Sequence, residues 1–255
     1  MTHSLPPWID GELLGFDLET TGVDPRVDVP VSFALVRAVA GVASVVRSGL
    51  VDPGREIPSE AVAIHGISSE RAAAEGMALG AATDLITEAL LDAGRRGVPV
   101  VGMNVVYDLT MADALAVAHS GAGLVEAGFA GAVLDVLVLD RHVDRYRRGH
   151  RRLDDLCLHY GVARGVAHDA GCDVEATIGV LRALVERYPE IGAMDLVALS
   201  GAQVSWHREW AESYSAWRVE HGQSALEAHE VDWPIARARE GRPGSGEDRR
   251  VEVGR

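Results

Sequence analysis

The sequence contains no lysine; all 24 of its basic residues are arginine. That excludes Schiff-base chemistry and the phosphate-binding loop that relies on a lysine. Cysteine is nearly as scarce. Cys157 and Cys172 are the only two, too few for a disulfide framework or a structural zinc site. Both fall in apolar-rich helical stretches, where buried free thiols are expected. Basic charge is outweighed by acid, for a net charge of −14. Such a chain does not coat nucleic acid through a broad basic surface, although it can still hold a strand end through metal ions. No apolar run reaches the length of a bilayer span, so no membrane partner is expected. The N-terminus lacks a basic stretch, and Asp17 and Glu19 soon interrupt its first apolar run. A secretory signal is therefore not expected, and a cytoplasmic location follows by default.

What is present fits a globular protein. In 255 residues, 47% are hydrophobic and 24% charged, enough for one large domain with an appendage. Alternating or apolar runs predict strands over 12–18, 30–39, 42–51, 98–103 and 131–139, with Gly41 at a hairpin turn between the second and third. Helical spacing predicts helices over 79–94, 106–118, 152–160 and 169–187. This order describes an α/β fold, a mixed sheet flanked by helices. The composition changes after Pro189. A further helix over 203–221 carries Trp206, Trp210 and Trp217 on one face. From Ala236 the chain is rich in Arg, Glu and Gly and reads as a disordered tail. The expected division is a first domain over 1–190, a helical extension over 191–235 and the tail over 236–255.

The chemistry lies in acids. Asp17 and Glu19 are two apart on the first strand, so their carboxylates share a face, while Leu14, Phe16 and Leu18 point to the other. Two adjacent carboxylates raise each other's pKa, and a divalent cation relieves this; oxygen-only ligands suit Mg²⁺ or Mn²⁺. The alternative is two exposed acids at a strand end. Asp108 lies in the first turn of a helix and shares its face with Met111, Ala112 and Leu115. An acid there is costly unless paired or metal-bound, although an acid near a helix N-terminus is also favoured by the helix dipole. Asn104 reads as that helix's cap or as a substrate contact, the cap being the simpler role. His168 stands at a helix entry with Asp173 about one turn in. A histidine so placed can act as general base or can be merely solvated. Together Asp17, Glu19, Asp108, Asp173 and His168 describe a two-metal phosphodiesterase. Four carboxylates would hold two divalent cations, and His168 would take the proton of the attacking water.

Three segments carry a family resemblance. FDLETTG (16–22), GMNVVYDL (102–109) and HDAGCDVEAT (168–177) resemble, in order and spacing, the three motifs of the DEDDh exonucleases. That group includes the epsilon proofreading subunit of bacterial DNA polymerase III, and the resemblance spans about residues 10–187. It implies a ribonuclease H-like five-stranded sheet, two divalent metals, and release of nucleoside 5′-monophosphates from 3′ ends. It also implies that Thr20, Thr21 and Gly22 lie near the terminal nucleotide. His65, in a His-Gly-Ile segment shared by many members, either approaches the substrate or is an ordinary loop histidine. The expected partners are single-stranded DNA or short nucleic-acid 3′ ends. A proofreading role would add a DNA polymerase or another replication or repair protein. The alternatives are an RNA-trimming enzyme of the same family and a non-catalytic, polymerase-binding scaffold of the same fold.

Two further features stand apart. The stretch 141–152 concentrates six arginines and reads either as a phosphate-positioning surface or as a solvated loop. The tryptophan helix reads as a partner surface or, more simply, as a helix packed back on the first domain, with Trp233-Pro234 anchoring the returning chain. Residues 223–226 are a poor match to a sliding-clamp peptide, lacking the aromatic pair.

Overall fold

The computed structural model describes residues 5–165, 169–226 and 230–236. Helix α1 (Pro7–Asp10) leads into β1 (Glu12–Thr20), and β2 (Pro30–Val39) and β3 (Val42–Asp52) follow as the expected hairpin. Its turn is made by Ala40 and Gly41, at φ 51° and 76°. Two consecutive left-handed residues match the twist of the strands they join. Next come α2 (Ser59–His65), α3 (Ser69–Glu75), the two-residue strand β4 (Met77–Ala78) and α4 (Leu79–Arg96). They are followed by β5 (Val100–Gly102), α5 (Val105–Ser120), β6 (Val133–Asp135) and α6 (Val136–Val143). The described chain ends with α7 (Leu153–Tyr160), α8 (Ala170–Arg187), α9 (Pro189–Gly192) and α10 (Leu196–Glu220).

The sheet order is β4-β3-β2-β1-β5-β6. β1 pairs antiparallel with β2 and parallel with β5, which puts β1 at the centre of a mixed sheet. The five anticipated strands are all present, and β4 adds a short parallel pairing to the outer edge of β3. One face buries Leu14, Phe16 and Leu18 against α4 and α5. The other buries Leu13, Ala34 and Val36 against α6, α8 and the start of α10. No described helix is long and apolar enough to cross a membrane.

The run 131–139 is not one strand. It is extended only over Val133–Asp135 and then becomes α6. Residues 133–140 are all buried, so the apolar run has no exposed alternation to announce its period. Cap chemistry decides the switch, because the Asp135 carboxylate accepts from Leu137 N–H at 2.9 Å. Similarly, α10 begins seven residues before the expected 203, where Asp195 caps it through Ala198 N–H at 2.8 Å. Two seven-residue helices, α2 and α3, escape sequence periodicity because they are shorter than its window.

The chain after α10 returns to the first core. Trp233 and Ile235 are buried there, Ala236 N–H donates to Thr110 Oγ1 at 3.0 Å, and the Arg26 guanidinium donates to the Ala236 carbonyl at 2.8 Å. The expected tail lies, from residue 237 on, outside the described residues. Of the cysteines, Cys157 is buried and forms no disulfide, whereas Cys172 is partly exposed rather than buried as expected.

Candidate active site

The site is built on β1 and on what β1 allows to approach it. Asp17 and Glu19 alternate with Leu18, whose side chain is buried in the opposite core. On the acid side the strand carries Gly15, where a Cβ would lie 2.1 Å from Val174 Cγ1. The missing side chain lets α8 press onto β1, and Val174 is the neighbour of Asp173. Close helix–strand packing thus delivers Asp173 to the two strand carboxylates. Ligand oxygens of Asp17, Glu19 and Asp173 lie within 4.8 Å of one another.

Asp108 approaches from α5. It is buried, and Leu18 N–H donates to its Oδ1 at 3.0 Å. It stands close enough to Asp17 to raise that carboxyl, but outside the trio of mutually close ligand atoms. Desolvation and the fields of Asp108, Glu19 and Asp173 hold the Asp17 carboxyl well above the usual carboxylate range. Desolvation also raises Asp108, against the hydrogen bonds it accepts from backbone N–H groups. Burial and the neighbouring Asp173 push Glu19 from 4.5 up to about 7. An all-oxygen cluster of mutually repelling carboxylates is the donor set that suits a hard divalent cation.

One cation already belongs to the fold. The Arg164 guanidinium donates to both oxygens of Asp173, at 2.8 and 3.0 Å, and its other end pairs with Asp154. Its charge opposes the upward shifts of Asp17 and Glu19. Sequence reading missed Arg164, since nothing in its local pattern reveals a contact to a residue nine positions along the chain.

The turn after β1 is fixed by its own hydrogen bonds. Thr20 Oγ1 donates to the Gly22 carbonyl at 2.8 Å and lies 3.1 Å from the Tyr107 hydroxyl, which itself donates to the Gly22 carbonyl at 2.5 Å. Thr21 is buried, and its hydroxyl is committed to Asp28 at 2.8 Å. A Cβ at Gly22 would meet the Asp28 carboxylate at 2.5 Å. Tyr107, also missed, has its phenol pushed up to about 12, chiefly by burial.

Asn104 occupies the residue before α5 at φ 58°, but its side chain makes no capping hydrogen bond. This corrects the expected cap. The left-handed backbone instead turns its N–H to Asp135 Oδ1 at 2.9 Å, and the exposed side chain lines a cleft with Tyr107. Asp135 is a buried acid the sequence reading passed over; its place at the end of an apolar strand was the available signal. His65 ends α2, with its Nδ1 accepting from Ile67 N–H at 3.1 Å. His168 lies outside the described residues. Asp169, next to it, caps α8 through Cys172 N–H at 3.0 Å.

The raised Glu19 carboxyl has a consequence for stability. Between pH 4.5 and about 7 the folded chain keeps a proton on Glu19 that the unfolded chain has released. Without divalent ions, this group therefore stabilises the fold below that window and loses its contribution as the pH rises through it. Glu19→Gln, a mimic of the protonated form, is expected to melt higher than the native chain in chelator at about pH 8. The gain is on the order of 5 °C after allowance for solvent screening. At about pH 4 the difference should vanish. Thermal denaturation followed by circular dichroism checks this, and an equal difference at both pH values would contradict it.

Over 187 residues the chain is 33% identical to a DNA polymerase III subunit epsilon-like protein of Rhodobacter capsulatus, a match covering 68% of this chain and 24% of that protein. Its fold superposes on Escherichia coli exonuclease I in complex with a dT13 oligonucleotide, with a TM-score of 0.60 and 24% identity, over 71% of this chain and 42% of that one. The zinc ion bound form of the E. coli exonuclease I–ssDNA complex matches with a TM-score of 0.62 and 22% identity, over 78% and 43% of the two chains. The match thus spans less than half the length of each of these relatives. The RNase_T family model, described as exonuclease, matches residues 14–181, a stretch that runs from Leu14 of β1 into α8. The chain belongs to the exonuclease family.

Proposed function

We propose that the chain is a metal-dependent 3′→5′ exonuclease that shortens DNA from its 3′ end and releases nucleoside 5′-monophosphates. The observation that carries this reading is the convergence of Asp17, Glu19 and Asp173 within 4.8 Å, with buried Asp108 beside Asp17. These four carboxylates would hold two Mg²⁺ or Mn²⁺ ions. When bound, such cations supply charge neutralisation at the scissile phosphate and acidify water. The protein supplies position. β1 presents Asp17 and Glu19 on a strand paired on both edges, and Leu18 N–H fixes the orientation of Asp108. The Thr20–Gly22 turn, tied down by Tyr107 and Asp28, offers a rigid wall beside the terminal nucleotide. Arg164 stabilises Asp173 and offsets part of the negative charge that would repel a phosphate. His168, five residues before Asp173, is assigned the proton of the attacking water, the role histidine most often takes as general base. The exonuclease I complexes with single-stranded oligonucleotides favour a single strand as substrate.

Incubation of the purified protein with 5′-labelled single-stranded DNA, duplex DNA and short RNA, with Mg²⁺, with Mn²⁺ and with chelator, tests the proposal. A ladder of stepwise shortening on single-stranded DNA, abolished by chelator, is expected. Absence of cleavage on every substrate with either ion overturns it.

A further inference from the structure

The sequence isolates two features that the hydrolytic site does not use, the arginine-rich stretch and the tryptophan helix. The fold brings them together. Between the loop after α6 and the outer face of α10 runs a cleft of about 520 Å³. Arg141, Arg145 and Arg151 line it, against a single carboxylate, Glu209. In a chain of net charge −14, this cleft has the opposite sign.

Its other wall is aromatic. Along α10 the Trp210 and Tyr214 rings stack with centroids 5.3 Å apart, Tyr214 and Trp217 at 5.8 Å, and Trp217 and His221 at 4.2 Å. The three ring pairs are within 28° of parallel, which makes a ladder of π faces. The helix packs back on the domain as far as Ala211, with Leu199, Gln203, His207 and Ala211 buried. Among the described residues the exposed large aromatics are Tyr146, Tyr214 and Trp217, at 88%, 36% and 46% exposure. All three line this one cleft. Isolated exposed rings need no explanation, but three converging beside arginines do.

The arginines have divided roles. Arg147 and Arg151 are spent on the buried Asp140, which also accepts from the Tyr160 hydroxyl. Arg141 lies over the Trp210 ring at 3.4 Å. Arg145 is exposed, pairs with no acid among the described residues, and faces Tyr146 at 6.0 Å. The Asp140 anchor thus holds the loop while leaving the Arg145 guanidinium in the cleft for an external anion. The cleft adjoins another on the side of the candidate active site. Trp210 and Tyr214 line a second cleft as well, whose far wall is Asn104 and Tyr107, and Tyr107 is bonded to the Thr20–Gly22 turn.

We propose that this cleft carries the single-stranded nucleic acid upstream of the terminal nucleotide, with bases against Tyr214 and Trp217 and a phosphate at Arg145. Stacking on aromatic faces with basic groups beside them holds a strand without reading its sequence. The inference rests on the exonuclease reading for its geometry but is tested apart from it. Fluorescence anisotropy of a labelled oligo-dT of about twenty nucleotides, in chelator, measures strand binding without hydrolysis. Trp217→Ala is expected to weaken binding about 5- to 100-fold. Arg145→Gln is expected to reduce the slope of log affinity against log salt by about 0.7. Both side chains are exposed, and a thermal melt confirms that each variant folds. Turnover of the p-nitrophenyl ester of thymidine 5′-monophosphate, too small to reach the cleft, is expected to be unchanged in both variants. Native-like strand affinity and salt slope in both variants overturn the proposal, including the outcome in which the cleft serves a protein partner. If the native chain hydrolyses nothing, the exonuclease reading fails, and the anisotropy series still decides whether the cleft binds a strand.

Discussion

Asp17→Ala is expected to lower nucleotide release by about three orders of magnitude or more, with the fold retained. A carboxylate that organises divalent cations stabilises the transition state by several kcal/mol, and each 1.36 kcal/mol is roughly tenfold in rate. The fold survives because Asp17 is a liability without cations. Its carboxyl is driven upward by desolvation and by three neighbouring acids, Asp108, Glu19 and Asp173. Removing it relieves that repulsion, so in chelator the variant should melt no lower than the native chain. In saturating Mg²⁺ or Mn²⁺ the order should reverse, because the native chain alone gains the full binding free energy. Single-turnover assays on labelled single-stranded DNA, run beside thermal melts with and without ions, separate the two effects. Native-like turnover by Asp17→Ala would remove this residue from the mechanism.

Asp140→Ala is expected to be the most destabilising of the single substitutions considered. Asp140 is fully buried, accepts from Arg147 at 2.8 Å and from the Tyr160 hydroxyl at 2.9 Å, and pairs with Arg151. The side chains of Arg147 and Arg151 are themselves only 13% and 14% exposed. Burial and the adjacent carboxylate push the Tyr160 phenol up. Truncating the acid strands two guanidinium groups with little access to water, at a cost of about 3–5 kcal/mol. That corresponds to a melting temperature lower by roughly 10 °C for a chain of this size. Asp140→Asn keeps the shape and one acceptor and should lose less. A melting temperature within about 1 °C of the native value for Asp140→Ala would mean that this network contributes little.

The residues differ in how much their sequence context revealed. The two-residue period of β1 is enough to place Asp17 and Glu19 side by side, and the structure has them so. The hairpin at Gly41 and the helices α4 and α8 were legible because the turn residue or the apolar stripe is local. Residues 133–140 were not, because an element buried on all sides carries no periodic signal. Tyr107 and Arg164 were illegible for another reason. Each is held by a partner that its local sequence does not indicate, Gly22 for one and Asp173 for the other. The tryptophan helix was half legible. Its stripe allowed either a packed face or a partner surface, and the structure packs the helix as far as Ala211 and leaves Tyr214 and Trp217 exposed beyond it.

The returning segment after α10 sets a timetable for folding. The bond from Ala236 to Thr110 spans 126 residues and that from Arg26 to Ala236 spans 210. Contacts of such long range form late, because their loop entropy must be met before they contribute. A nascent chain emerging from the ribosome can pair β1 with β2 and β3 early, since these lie close in sequence. It cannot seal the core beneath α5 until Trp233 and Ile235 have been made. The core beneath α5 is thus completed only after the strands, α4 and α10 have all been made.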